Sequence, residues 1–165
     1  MHGDTEAAVL IAVYDWPGDP CLIFTERRGD LRRHAGEISF PGGRRDDTDE
    51  SLSHTALREA EEEIALRPAE VELAGALPPV GTFVTSYKVF PFVGVVPSEI
   101  ELIASPDEVA EILHLRVSEL RNGYAKRRLV RRGVPIKTDT YLVGEHMIWG
   151  ATARIVGELL ERLEG

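Results

Sequence analysis

ALREAEEEIAL, residues 56–66, is the stretch on which the reading of this chain turns. On an α-helix each residue advances about 100°. Glu62 then stands about 60° from Glu59, and Glu63 about 40° to the other side, so three carboxylates converge on one face. Glu61 points away. Leu57, Ala60 and Ile64 recur at the spacing of an apolar stripe, with Ala56 beside it. Like charges gathered this way cost a helix about 0.2–0.5 kcal/mol per exposed pair, a repulsion that a divalent cation reverses. Hard oxygen ligands of this kind suit Mg²⁺ or Mn²⁺. Taken alone, the run reads equally well as a solvated acidic face.

The residues upstream favour the metal. FPGG (40–43) is an apolar anchor followed by a Gly-Gly turn, six residues ahead of Glu50. Glycines there let backbone carbonyls approach a ligand closely, so the carbonyl of Gly43 joins Glu59, Glu62 and Glu63 as a candidate ligand. The helix is predicted over 50–64, capped by Thr48 or Asp49 and stopped before Pro68. Arg58 lies off the carboxylate face.

Outward from that helix, AAVLIAVY (7–14) and CLIFTE (21–26) read as strands joined by the turn sequence WPGDP. EISF (37–40), VELAGAL (71–77), VTSYKVFPFVGVV (84–96, interrupted by Pro91) and VAEILHLRV (109–117) are further strands, and 127–143 is a hairpin turning near Gly133. Residues 148–163 form a closing amphipathic helix. Strands flanked by two main helices predict an α/β fold, a three-layer α/β/α sandwich with a mixed sheet, in one domain spanning residues 1–165.

Net charge is −9, which argues against nucleic acid or an anionic membrane as partner. The charge is uneven: residues 121–137 hold seven of the 19 Lys and Arg and no acid, while Arg58 is the only Lys or Arg within 49–63. No stretch reaches the roughly 18 apolar residues of a membrane span, and the N-terminus lacks a basic leader region, so no signal peptide is expected. A single cysteine, Cys21, excludes an internal disulfide and suits a reducing compartment; the expectation is a cytoplasmic protein. The five histidines show no ligand spacing, and His34 and His146 are read as having no chemical role.

The helical half of this segment, Arg58-Glu59-Ala60-Glu61-Glu62-Glu63-Ile64-Ala65-Leu66, resembles the Nudix box, GX5EX7REUXEEXGU with U bulky and apolar. Ala65 replaces the last glycine and Ala60 a bulky residue. Counting back from Arg58 puts Glu50 at the first Glu but Arg44 at the first Gly, so the loop carries one extra residue relative to Gly43; the resemblance thus implies that Arg58 ties loop to helix by pairing with either Asp49 or Glu50. Upstream, LIFTERRGDLRRHAGEISFPGG (22–43) is similar to the signature of the coenzyme A pyrophosphatase branch, with Thr25, Arg27, Arg32, Gly36, Phe40, Pro41, Gly42 and Gly43 in register. IWGATARI (148–155) resembles the start of that branch's last helix.

The resemblance implies a Mg²⁺- or Mn²⁺-dependent hydrolase that cleaves the pyrophosphate bond of coenzyme A or an acyl derivative into 3′,5′-ADP and (acyl-)4′-phosphopantetheine. Its partner is then a small nucleotide diphosphate; a homodimer is compatible with it. Glu59, Glu62 and Glu63 are the catalytic and metal-binding candidates, and Arg27, Arg32 and Gly42 the substrate-binding ones. Glu62, a metal-held hydroxide, Glu108 and Glu111 compete for the role of general base. Phe83 and Tyr87 offer stacking surfaces for an adenine, with core packing as their plainer role; Trp16 and Trp149 read as packing. The basic run containing Lys126, Arg127, Arg128, Arg131 and Arg132 is either a reader of the 3′-phosphate or a solvated hairpin. Rival substrates are ADP-ribose, nucleotide sugars and nucleoside triphosphates; the rival class is a module that senses a nucleotide without cleaving it.

Overall fold

The computed structural model describes residues 5–15, 17–29, 36–82, 86–131 and 133–164. Its elements run β1 (Thr5–Tyr14), β2 (Cys21–Arg27), β3 (Ile38–Ser39), β4 (Gly42–Arg44), α1 (Leu52–Ile64), β5 (Glu72–Ala76), β6 (Val80–Gly81), β7 (Tyr87–Val95), β8 (Val109–Arg116), α2 (Val117–Asn122), β9 (Tyr124–Arg131), β10 (Val134–Val143), β11 (His146–Ile148) and α3 (Gly150–Glu164).

Strand β1 is the axis. Nine of its residues pair in parallel with β7, from Thr5↔Tyr87 to Val13↔Val95. On its other edge two partners divide it: Val13 and Tyr14 pair antiparallel with β2, whereas Ala7, Ala8 and Val9 pair antiparallel with β4. β2 is covered on its outer edge by β8 and takes β3 near its end. The β3–β4 segment, which contains FPGG, therefore wedges β1 and β2 apart. β5 and β6 pair with β7, and β9, β10 and β11 make a second, three-stranded sheet. One parallel pair among antiparallel ones makes the large sheet mixed, as predicted.

Alternation along the strands gives each face its own apolar layer. Leu10, Ala12, Cys21 and Ile23 pack with Ala56, Ala60 and Ile64 of α1. Ile11, Leu22, Phe24 and Leu113 pack with Ile155, Val156 and Leu159 of α3 on the opposite face, together with Tyr141 and Ile148. Phe24 and Phe40 stack with ring centroids 4.5 Å apart, which fastens the wedge to the α3 layer. Among the described residues, no helix is long and apolar enough to cross a membrane.

Three local expectations change. The Gly-Gly turn is a short strand, because Gly42 lies against the β1 backbone: a Cβ there would sit 2.3 Å from the Ala8 carbonyl. β7 runs through Pro91 without a break. The Pro91 carbonyl accepts from the Leu77 N–H, so its missing donor faces the connection between β5 and β6, where no ladder needs it. The helix starts at Leu52, not at 50, and its cap is Ser51, whose hydroxyl accepts from the His54 N–H at 3.1 Å. Thr48 and Asp49 are not the cap.

The helix ends at Ala65, which adopts φ 58° and ψ 31°. That left-handed conformation costs a residue with a Cβ roughly 1–2 kcal/mol, part of which glycine gives back as unfolded-state entropy. Ala65→Gly is therefore expected to stabilise the chain by about 0.5–1 kcal/mol. Urea unfolding checks this; a destabilised variant would mean that the Ala65 methyl packs more tightly than its half-buried position implies.

Candidate functional site

The loop from β4 into α1 is held by one buried carboxylate. Asp49 has a fully buried side chain. It accepts from Arg58 twice, Nε to Oδ1 at 2.8 Å and Nη2 to Oδ2 at 3.0 Å, and from the Thr55 hydroxyl and the Asp46 N–H, each at 2.8 Å. The Arg58 guanidinium, bonded in this planar fork, holds the Asp49 carboxyl well below the usual carboxylate range. Of the two acids expected to meet Arg58, only Asp49 does so; Glu50 is exposed, and its N–H donates to His54 Nδ1.

Arg58 also does more than the helical wheel implied. It is not off the carboxylate face: Nη1 reaches Glu59 Oε2 at 3.1 Å and both oxygens of Glu62 at 3.3 Å, and Nη2 donates to the Arg44 carbonyl. A long side chain swings toward its neighbour at i+4, which a wheel drawn on Cα positions does not show. One guanidinium thus joins the loop carboxylate, two helix glutamates and the end of β4.

Glu59 and Glu63 form the inner part of the site. Their carboxyl groups are within hydrogen-bonding reach of each other, and the Gly42 N–H donates to Glu63. Gly43 lies directly beneath Glu59; a Cβ at Gly43 would fall 2.6 Å from the Glu59 carboxyl carbon. The Gly-Gly pair is required on both sides, Gly42 by the sheet and Gly43 by the carboxylate. Burial pushes Glu63 up to about 9, and the charges of Glu59 and Glu108 add to the shift. Burial raises Glu59 as well, against the pull of Arg58. Two half-buried carboxylates at contact distance need either a proton or a cation between them. Their oxygen donors, and a glycine cradle that leaves Glu59 unobstructed, fit a hard divalent ion.

Glu62 is more exposed and turned to Arg58. Glu108, from the loop before β8, is near enough for its charge to act on both Glu59 and Glu63. The same loop is pinned to the helix, because the Ser105 N–H donates to the Glu63 carbonyl and that of Ile103 to the Ile64 carbonyl. Glu111 points elsewhere: paired in register with Glu26, it lies on the α3 face of the sheet.

Arg27 closes β2 and is exposed, with its carbonyl accepting from the Gly36 N–H. Tyr87 is half-buried at the start of β7, and Trp149 is half-buried before α3. Arg32, His34, Phe83, Trp16, Arg132 and the side chain of Arg131 lie outside the described residues. In the basic hairpin of β9 and β10, Arg127 is engaged with the Thr140 hydroxyl and Lys126 stands 3.9 Å from Asp139. Arg128 and Lys137 face each other across the strands, both exposed.

Known proteins share sequence and fold with this chain. The NUDIX domain model matches residues 4–133. The uncharacterized Nudix hydrolase NudL of Cronobacter sakazakii is 44% identical over 156 residues, covering 93% of this chain and 80% of that protein. Its counterpart in Escherichia coli O7:K1 is 43% identical over the same shares. Among solved structures, the NUDIX domain of Shewanella oneidensis NrtR, complexed with ADP ribose, superposes with a TM-score of 0.63 at 13% identity, covering 99% of this chain and 90% of that one. The MutT protein of Methanosarcina mazei gives 0.62 at 18%, over 97% and 94%. This chain belongs to the Nudix hydrolase family.

Two outcomes follow from the site itself. Asp49→Ala leaves Arg58 and Thr55 without their buried partner and is expected to cost about 3 kcal/mol or more, whereas Glu50→Ala stays within about 0.5 kcal/mol; equal effects in chemical denaturation would refute the assignment of Asp49. The second concerns pH. A carboxyl raised on folding contributes stability that is complete below the ordinary carboxylate range and is lost as pH rises toward 9. The chelated protein should therefore weaken between pH 5 and about 9 more steeply than Glu63→Gln does. Saturating Mg²⁺ should flatten the wild-type slope, and unfolding midpoints with and without EDTA measure it.

Proposed function

We propose, starting from membership in the Nudix hydrolase family, that this chain hydrolyses the pyrophosphate bond of coenzyme A or an acyl derivative, giving 3′,5′-ADP and (acyl-)4′-phosphopantetheine. The observation that carries the hydrolytic part is the contact pair of half-buried carboxylates, Glu59 and Glu63, stacked on Gly42-Gly43 with Glu108 alongside. A sensing module has no need of so costly an arrangement. The substrate part rests on the register of Thr25, Arg27, Gly36 and FPGG upstream of the helix, and on IWGATAR, which leads into α3.

Glu59 and Glu63 would hold the ion, with Glu62 and the Gly43 carbonyl as further ligands. When bound, Mg²⁺ or Mn²⁺ neutralises the diphosphate and lowers the pKa of water at the site. Water attacks one phosphorus, the P–O bond to the bridging oxygen breaks, and a base takes the proton. Glu108 is the better placed of the two downstream acids for that role, because its charge already acts on the carboxylate pair and Glu111 lies on the opposite face. Arg58 positions rather than reacts: it fixes Glu59 and Glu62 relative to the loop. Arg27 is the described candidate for holding a phosphate, bidentately. The exposed pair Arg128 and Lys137 could add a contact to the 3′-phosphate.

ADP-ribose is the rival substrate, since a protein of the same fold binds it. Incubation with Mg²⁺ and either coenzyme A or ADP-ribose, with products identified by mass, separates the two. Turnover of coenzyme A to the two named products supports the proposal; faster turnover of ADP-ribose overturns it. Glu59→Gln and Glu63→Gln are each expected to lower kcat by at least about 10²-fold while leaving the fold intact. Near-wild-type rates at saturating Mg²⁺ would remove both residues from the metal site.

A further inference from the structure

Outside the α1 site, a second set of metal-type donors comes together. Glu26 of β2, Glu111 of β8 and His146 of β11 each bring one donor atom within 4.8 Å of the others. Their composition and placement set them apart from a chance acidic patch. The donors include an imidazole, and they come from three strands in two different sheets. Glu26 and Glu111 are directly opposite in the β2–β8 register, a placement in which like charges destabilise a strand pair. His146 Nδ1 stands 3.9 Å from Glu26 Oε1, with both side chains less than a third exposed. Among the described residues no hydrogen bond or ion pair satisfies Glu111.

The spacing is instructive. At 3.9 Å the imidazole and carboxylate are too far apart for a hydrogen bond. Two donors on a tetrahedral ion with bonds of about 2.0–2.2 Å lie about 3.4 Å apart, so a small closure of the side chains would suffice. One nitrogen and two carboxylate oxygens suit a borderline ion such as Zn²⁺ better than Mg²⁺, which prefers oxygen and retained water.

We propose that Glu26, Glu111 and His146 form a Zn²⁺-type site that clips the three-stranded sheet to the large one, on the face opposite the α1 carboxylates. Glu26 lies two residues after Phe24 and Glu111 two before Leu113, both on the α3 side, so the clip bridges β2 and β8 to β11 where β3 also meets β11. The site needs none of the α1 carboxylates, and its occupancy is readable without catalysis.

The test uses the full chain carrying Glu59→Gln and Glu63→Gln, which disables the other metal site. Zn²⁺ titration by calorimetry, and the intense visible bands of tetrahedral Co²⁺, report occupancy. One equivalent should remain in this background, and Zn²⁺ but not Mg²⁺ should raise the melting temperature. Adding His146→Ala should weaken that equivalent at least tenfold and abolish the thermal shift. Glu111→Gln, at an exposed position with little bearing on folding, should do the same. Retention of the equivalent in both variants, or its absence from the starting background, overturns the proposal; in the latter case the three groups are an ordinary histidine–carboxylate contact.

Discussion

The fork between Arg58 and Asp49 is the contact on which the site is built. A carboxylate with no exposed surface tolerates ionisation only if donors surround it, and Asp49 has four, two of them from one guanidinium. That saturation fixes the path of the loop into α1. It also spends only part of Arg58's donors, and the remainder reach Glu59, Glu62 and the Arg44 carbonyl. Glu59 and Glu62 therefore take their positions from a residue that has no part in the proposed chemistry.

The divided edge of β1 has the complementary effect. A continuous β1–β2 ladder would leave no room for backbone beside α1. With the ladder limited to Val13 and Tyr14, the wedge brings Gly42 and Gly43 under the helix. There the Gly42 N–H meets Glu63 and the bare Cα of Gly43 accepts Glu59 at contact distance. Glycine's lack of a side chain matters here for closeness rather than for an unusual backbone angle, since neither residue has positive φ.

Much of this was legible in the residues. The helical register brings Glu59 and Glu63 together, and strand alternation orders the two apolar layers; both depend on local periodicity alone. Less was legible where long-range contacts decide. The rivalry between Asp49 and Glu50 could not be resolved by counting, although Ser51, with an N–H acceptor geometry three residues ahead of His54, marks the true helix start and frees Asp49 to turn inward. The reach of Arg58 to Glu62 was available as an i,i+4 pair. The gathering of Glu26, Glu111 and His146 was not: those residues lie far apart in the chain, on strands whose registers no local pattern specifies.

The hairpin of β9 and β10 has a bearing on solubility. Its outer half leaves Val130, Val134 and Ile136 exposed, Val130 by 69% and Val134 by 58%. A two-stranded ribbon whose outer edges pair with no further strand among the described residues, and which carries apolar side chains, is a template onto which a second copy could add a strand. Lys126, Arg128 and Lys137 stand along the same ribbon, and like-charged ribbons approaching edge to edge repel. The local positive charge thus opposes strand addition between copies, an opposition that high salt weakens by screening.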